Sequence, residues 1–176
     1  MGEYIYKLII IGDPAVGKTS LINRFIQDQF ESEYKETIGT NIVKKVVKLE
    51  KDIVNFTIWD IAGQERWTDM RQVYYKGAAA AMIVYDVTRK ITFQHVENYW
   101  YPDLKNFLEV KNIPLILIAN KNDLQKNLIR VNSIEGEDLA SHIGALKFIE
   151  ASARTGHNVD QAFTYMAKTL LAKIEK

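Results

Sequence analysis

The stretch Gly12-Asp13-Pro14-Ala15-Val16-Gly17-Lys18-Thr19 decides the fold of this chain. It matches G-x-x-x-x-G-K-[ST] at every fixed position. The continuous apolar run Lys7–Ile11 before it predicts a buried parallel strand, and Ser20–Ile26 after it predicts a helix. This order places backbone N–H groups and the positive end of a helix dipole around an anion. The sequence therefore predicts a phosphate-binding loop, against the alternative of a plain glycine turn.

Two side chains of this stretch are suited to specific roles. Lys18 is expected to reach the β- and γ-phosphates of a nucleotide, and the Thr19 hydroxyl is expected to bind Mg²⁺. The loop backbone and the start of the helix supply the other contacts. The candidate phosphate contacts are Asp13, Pro14, Ala15, Val16, Gly17, Lys18, Thr19 and Ser20.

The bulk composition narrows the class of protein. The chain has 176 residues and is expected to form a single domain over residues 1–176. Its apolar fraction of 47% and charged fraction of 26% are ordinary for a soluble globular protein, and a net charge of +1 gives no basis for attraction to nucleic acid. The chain contains no cysteine, which excludes thiol catalysis and suits a reducing, cytoplasmic compartment.

Apolar strands alternate with helical patterns along the chain. The predicted strands are Lys7–Ile11, Thr40–Leu49, Val54–Trp59, Ala79–Tyr85, Leu115–Ala119 and Lys147–Ile149. The predicted helices lie at about 18–27, 91–110, 133–143 and 159–174. The expected fold is α/β, of the P-loop NTPase type: a doubly wound, mostly parallel six-stranded sheet with one antiparallel edge strand and about five helices.

Short polar pairs predict two helix starts. Asn158 with Gln161, and Asn132 with Glu135, have the spacing of capping boxes. Ligands of such folds bind at the carboxyl ends of the strands, where the glycine loop already lies. Chemistry is therefore expected in the loops that follow the other strands.

The loop after Val54–Trp59 reads Asp60-Ile61-Ala62-Gly63-Gln64-Glu65. Asp60 can hold Mg²⁺ through water, and Gly63 can bring its N–H against a γ-phosphate. Gln64 offers one acceptor and two donors, which suits the orientation of an attacking water. Taken alone, D-x-x-G is also typical of a plain turn; its position after a phosphate loop favours the catalytic interpretation.

The loop after Leu115–Ala119 reads Asn120-Lys121-Asn122-Asp123. The Asp123 carboxylate can accept two parallel hydrogen bonds from the ring N–H and exocyclic amine of guanine, a pairing that adenine does not offer. Such polar composition also fits a turn, but with the phosphate loop upstream it favours guanine over adenine. After the last strand, Ser152, Ala153 and Arg154 are candidate contacts to the base.

These motifs together resemble those of small GTPases of the Ras superfamily, and most of all the Rab branch. Trp59-Asp60-Ile61-Ala62-Gly63-Gln64-Glu65-Arg66 is similar to W-D-T-A-G-Q-E-R of Rab proteins, Tyr74-Tyr75-Lys76-Gly77-Ala78 resembles Y-Y-R-G-A, and Val84-Tyr85-Asp86-Val87-Thr88 resembles V-Y-D-I-T. The resemblance implies a switch with slow, Mg²⁺-dependent hydrolysis of GTP to GDP and phosphate. It also implies that two loops, roughly 31–42 and 61–77, respond to the nucleotide.

The resemblance assigns roles that the residues alone do not. It makes Thr37 a second Mg²⁺ ligand beside Thr19 and Asp60, Phe30 a contact to the guanine, and Tyr34 a cover over the phosphates. It also implies a monomer that meets effectors, an exchange factor and a GTPase-activating protein. The expected effector surface comprises Ile42, Trp59 and Tyr74.

The chain also departs from the Rab pattern. Ile42 stands where the effector surface usually carries phenylalanine, Ile61 replaces a threonine, Trp67 replaces a phenylalanine, and Pro14 occupies a position that is small in most relatives. No cysteine is present for prenylation, so membrane association is expected only if the natural chain has a longer tail.

Two further functions compete with this interpretation. One is a guanine-nucleotide-binding interaction module without hydrolysis, which Pro14 and Ile61 favour. The other is an ATP-dependent kinase with the same glycine loop. The run Asn120–Asp123 argues against the kinase, and the sequence has no arginine-rich lid.

Overall fold

A six-stranded mixed sheet organises the chain. The computed structural model describes residues 2–27, 37–63, 68–109 and 112–174. The strands are β1 (Gly2–Ile11), β2 (Thr40–Lys48), β3 (Asp52–Ile61), β4 (Ala80–Asp86), β5 (Leu115–Asn120) and β6 (Lys147–Glu150). They follow the order β2-β3-β1-β4-β5-β6, and every neighbouring pair is parallel except β2 with β3. The predicted α/β sheet with one antiparallel edge strand is confirmed.

Five helices flank the sheet in the part of the chain that the structure describes. They are α1 (Lys18–Gln27), α2 (Thr68–Tyr75), α3, α4 (Ser133–His142) and α5 (Val159–Ala172). The helical run α3 joins an α-helix (Lys90–His95), a π-helical turn (Val96–Trp100) and a second α-helix (Tyr101–Phe107). Within those described ranges, no helix is long and apolar enough to cross a membrane.

The first strand is longer than the apolar run predicted. It begins at Gly2 because Gly2–Tyr6 pairs in parallel with Asp52–Phe56 of β3. The Gly2 N–H also donates to Asp52 Oδ1 at 2.8 Å. Ile5 in this extension is 76% exposed. The extension is therefore covered on one face only, whereas the second half of the strand is buried continuously.

The third helix differs from the predicted span 91–110 at two places. It ends at Phe107, because Leu108 adopts an extended backbone. It also contains the π-turn, in which Tyr101 donates its N–H to Val96 O. Pro102 follows this turn directly and has no N–H to continue a regular ladder. The missing donor gives a local reason for the wider turn.

One of the two predicted capping boxes is confirmed and the other is wrong. Asn132 accepts the Glu135 N–H at 3.0 Å, and Glu135 accepts the Asn132 N–H at 2.9 Å. Asn158 instead has a left-handed backbone with φ of 56°, and its side chain caps nothing at the start of α5. Its amide donates to Glu150 O at 2.8 Å, which ties the helix start to the end of β6.

Two apolar layers cover the faces of the sheet. On one face α1 and α5 pack together, and the Phe25 and Phe163 rings stack with centroids 3.9 Å apart. On the other face α2, α3 and α4 surround a core that includes Tyr75 and Trp100. Because β4 and β5 are buried along their whole length, the loops at their carboxyl ends start from rigid positions.

We expect Asn132→Ala to lower the free energy of unfolding by about 1 kcal/mol, since it removes the capping oxygen of α4. Asn132→Ser retains a capping oxygen and should lose less than half of that. Denaturant titrations of both variants with a shared slope measure the difference. An unfolding free energy of Asn132→Ala equal to that of the unmodified protein would show that the cap contributes nothing.

Candidate functional site

Five loops meet at the carboxyl edge of the sheet. They follow β1, β3, β4, β5 and β6, and they are linked to one another by hydrogen bonds or, for the loop after β3, by close packing at Gly63. Asn120, the last residue of β5, donates to Val16 O at 2.8 Å in the glycine loop and accepts the Ala153 N–H at 3.2 Å from the loop after β6. One buried amide thus fixes three of the five loops together.

The glycine loop needs its two glycines for both backbone conformation and space. Gly12 has φ of 141°, and a Cβ there would lie 2.2 Å from Val84 O. Gly17 has φ of 98°, and a Cβ there would lie 2.3 Å from the Asn120 side-chain nitrogen. Ala15 also has a positive φ, of 61°, a strained conformation of the kind that recurs in binding loops.

Lys18 is a buried cation at the start of α1. Only 6% of the residue is exposed, and its Nζ donates to Gly12 O at 2.7 Å and to Asp13 O at 2.8 Å. Burial lowers the pKa of Lys18 to about 8, against the opposing charges of Asp60 and Asp13. A phosphate beside this ammonium would supply the full negative charge that carbonyl oxygens lack.

The backbone carbonyl of Asp13 faces Lys18, whereas its carboxylate faces α3. Its Oδ1 accepts the Trp100 Nε1–H at 2.7 Å, and its Oδ2 lies 2.7 Å from His95 Nδ1. The next residue, Pro14, accepts a hydrogen bond from Arg89 at its carbonyl, 3.0 Å away. Residues of α3, and Arg89 just before α3, therefore fix the glycine loop by hydrogen bonds.

Three hydroxyl and carboxylate side chains cluster beside Lys18. Thr19 Oγ1 donates to Asp60 Oδ2 at 2.5 Å and lies 2.9 Å from Thr37 Oγ1. Asp60 is 1% exposed, and burial raises the pKa of its carboxyl against the Thr19 hydrogen bond and the Lys18 charge. Its Oδ1 is buried without a hydrogen-bond partner in the described structure.

This oxygen cluster fits Mg²⁺. All its donors are hard oxygens, and the unsatisfied Oδ1 of Asp60 is the kind of atom that a hydrated cation satisfies. The described residues hold no cluster of three or more His, Cys, Asp or Glu side chains. Mg²⁺ is commonly held by few protein ligands together with substrate phosphates, which agrees with that composition.

The loop after β5 carries a lysine that bridges two other loops. Lys121 has φ of 70°, and its Nζ donates to Ala15 O at 2.9 Å and to Asp86 Oδ2 at 2.6 Å. Asp86 ends β4 and also accepts the Thr88 N–H at 2.9 Å. The sequence reasoning gave Asp86 no role, although its place at a strand end was a signal that could have found it.

Asp123 is oriented by the loop after β6. Ser152 Oγ donates to Asp123 Oδ1 at 2.6 Å, and the Arg154 guanidinium lies 3.9 Å from Oδ2. Arg24 of α1 donates to Ala153 O at 2.9 Å and so attaches this loop to the helix of the glycine loop. Asp123, Ser152, Ala153 and Arg154 are thus brought together, as the candidate base contacts require.

Three predicted site residues, Phe30, Tyr34 and Gln64, lie outside the described residues, as does Trp67. Their predicted roles stay predictions. Gly63 is described, and a Cβ on it would lie 2.4 Å from Gly12 O and 2.5 Å from Pro14 N. The backbone after β3 therefore packs directly on the glycine loop, and only glycine permits that approach.

The three residues expected on the effector surface lie together. Ile42 of β2 is opposite Trp59 of β3 in the strand register, and the Trp59 and Tyr74 rings are 6.5 Å apart. Ile42 is 47% exposed. The Lys7 ammonium lies 3.6 Å from the centroid of the Trp59 ring, which places a charge beside this apolar group.

The sequence of this chain is similar to those of Ras-related proteins. The sequence model of the Ras family matches residues 7–172. Ras-related protein Rab-1 of Theileria parva is 38% identical over 172 residues, which cover 98% of this chain and 77% of that protein. Ras-related protein YPT3 of Nicotiana plumbaginifolia is 41% identical over 162 residues, covering 92% and 72%. Ras-related protein RABA1b of Arabidopsis thaliana is 40% identical over 161 residues, covering 92% and 73%.

Proposed function

This chain belongs to the Rab branch of the Ras superfamily of small GTPases, and we propose that it is a GTP/GDP switch that hydrolyses GTP slowly. In this proposal residues 1–176 form one GTP-binding domain. The observation that carries the proposal is the buried Lys18 ammonium, set 2.7 and 2.8 Å from loop carbonyls and next to an oxygen cluster that fits Mg²⁺. A bound triphosphate would supply the negative charge that both the Lys18 ammonium and Mg²⁺ require.

The family resemblance implies the roles proposed for the Mg²⁺ ligands, and the distances support them. Thr19 and Thr37 would ligate Mg²⁺ directly, and Asp60 would hold it through water; the 2.9 Å between the two hydroxyls supports this assignment. When bound, Mg²⁺ supplies positive charge to the β- and γ-phosphates. Lys18 would add its own positive charge, and the N–H groups of the glycine loop would position the phosphates.

The Asp123 carboxylate is the proposed source of base selectivity. Its bond from Ser152 fixes one oxygen, which supports a pre-oriented carboxylate for the two N–H groups of guanine. Adenine would leave this acceptor unpaired in a polar site. Sites of this kind discriminate strongly because the wrong ligand leaves polar groups without partners.

We expect GDP to bind about 10⁴-fold more tightly than ADP. Asp123→Asn should shift the preference from guanine toward xanthine, because the amide can donate to the second carbonyl of xanthine. Competition against a fluorescent GDP measures both, with the exposed Asp160→Asn on α5 as the matched control. Similar affinities for GDP and ADP in the unmodified protein would remove the guanine assignment.

The proposed hydrolysis requires positioning more than covalent chemistry. A water attacks the γ-phosphorus, the bond to the β–γ bridging oxygen breaks, and GDP and phosphate leave. Gln64 would orient that water. The close packing of Gly63 on Gly12 and Pro14 supports a backbone N–H next to the γ-phosphate.

Gln64→Leu should slow single-turnover GTP hydrolysis about tenfold or more and leave GTP affinity nearly unchanged, because the side chain acts in the transition state. The unmodified protein should turn over at about 10⁻⁴–10⁻³ per second, by analogy with Ras. Gln161→Leu, exposed on α5, is the control.

The same measurement distinguishes the second candidate function. Pro14 offers no N–H in the loop and its ring stands next to the Gly63 backbone, which favours a binding module with negligible hydrolysis. If the unmodified protein and Gln64→Leu hydrolyse GTP equally slowly, and EDTA changes neither rate, the module describes this chain better than the enzyme.

Partners are proposed on the same basis. Rab and Ras proteins in general work with effectors, activating proteins and exchange factors. We propose the surface of Ile42, Trp59 and Tyr74 for effectors, since these three side chains lie together between β2, β3 and α2. The sequence carries no arginine between residues 31 and 40, so an activating protein would supply the arginine that accelerates hydrolysis.

A further inference from the structure

A negative charge stands inside the loop that is proposed to bind phosphates. Asp13 is 7% exposed, and its carboxylate has two partners, the Trp100 indole N–H and the His95 ring, both at 2.7 Å. Trp100 is 1% exposed, whereas the His95 side chain is 42% exposed. One partner is therefore a fixed neutral donor, and the other is in contact with solvent and can change its charge.

The π-turn of α3 makes this arrangement possible. His95 and Trp100 are five residues apart, which in a regular α-helix would separate them by about 140° around the axis. In the π-turn Val96–Trp100 the hydrogen bonding shifts to i→i+5. Residues five apart then come close to the same side of the helix, and both side chains reach Asp13.

We propose that His95 and Trp100 are positioning residues for the phosphate loop, and that protonation of His95 slows the release of nucleotide by neutralising Asp13. The inference rests on the proposed nucleotide site. The Trp100 indole N–H donates to the Asp13 carboxylate whether or not His95 is protonated. Neutral His95 leaves the negative charge of Asp13 to oppose the phosphates, and protonated His95 cancels it.

The other charged side chains near His95 and Asp13 have partners of their own. Among the residues that the structure describes, Arg89 near the glycine loop donates to Pro14 O at 3.0 Å. Arg71 of α2 lies 4.5 Å from the Trp100 ring centroid and pairs with Asp103 at 3.5 Å. On the α4 side, Glu97 pairs with His142 at 3.2 Å, and Lys90 pairs with Glu135 at 3.3 Å. Lys18 donates to the Asp13 backbone carbonyl at 2.8 Å. Among the described residues, His95 is the histidine that contacts the Asp13 carboxylate, and an imidazole is a side chain that can gain a proton on mild acidification.

The test is the release rate of a fluorescent GDP at pH 8 and pH 6 in the Mg²⁺-bound protein. In the unmodified protein the rate should fall about threefold to tenfold more on acidification than in His95→Gln, as expected when one charge changes beside the carboxylate of the glycine loop. The quantity compared is the ratio of the release rates at the two pH values within each protein, so an effect of His95→Gln that does not depend on pH cancels.

His142→Gln is the matched control, since it removes another exposed histidine that pairs with a carboxylate. It should keep the acid response of the unmodified protein. Titration of the GDP phosphate affects all variants equally and cancels in the comparison. Equal pH ratios in the unmodified protein and His95→Gln would overturn the inference, as would loss of the response in His142→Gln.

Trp100→Phe tests the hydrogen bond from Trp100 to the Asp13 carboxylate. It keeps an aromatic ring in the core and removes the N–H, so GDP release should become about threefold to tenfold faster at both pH values, with the pH ratio retained. Unchanged release would remove Trp100 from the proposal. Failure of the unmodified protein to bind GDP at all would contradict the proposed function itself, separately from this inference.

Discussion

The burial of the Lys18 ammonium is the constraint on which the rest of the site depends. A cation that is 6% exposed, with two carbonyl oxygens as its hydrogen-bond partners, pays a desolvation cost that those dipoles only partly offset. The lowered pKa of about 8 expresses that cost. An anion of high charge density beside Lys18 would offset that cost, so bound phosphate is expected to stabilise the loop.

Holding a lysine in this way requires a loop that cannot move aside. The loop is braced from three directions: by Asn120 and Lys121 at Val16 O and Ala15 O, by Arg89 at Pro14 O, and by Trp100 at the Asp13 carboxylate. Asn120 and Lys121 lie at the carboxyl end of the buried strand β5, and Arg89 lies just after β4. Trp100 lies in α3, which packs on the sheet. The rigidity of the central strands is thereby transmitted to the site.

Sequence reasoning gave most of the fold because its signals were local. Strands β4 and β5 are buried on both faces, which produces continuous apolar runs in the sequence. Strand β3 has one more exposed face, which produces alternating apolar and polar residues. It missed α2, a helix of eight residues, and the π-turn, whose local reason is a proline inside a helical pattern. It placed a cap at Asn158 because spacing does not reveal a left-handed backbone. The contacts of Asp13 with residues 82 and 87 positions away have no local signal at all.

The most direct measurement of the central claim is proton uptake on GDP binding, by calorimetry of the nucleotide-free protein with Mg²⁺ in buffers of different ionisation enthalpy. Because burial lowers the pKa of Lys18 to about 8, a larger share of Lys18 is neutral at pH 8.5 than at pH 7. Phosphate at Lys18 would raise that pKa, so binding should take up more protons at pH 8.5 than at pH 7. Binding without proton uptake at pH 8.5 would contradict the claim that the phosphates meet a buried, desolvated Lys18.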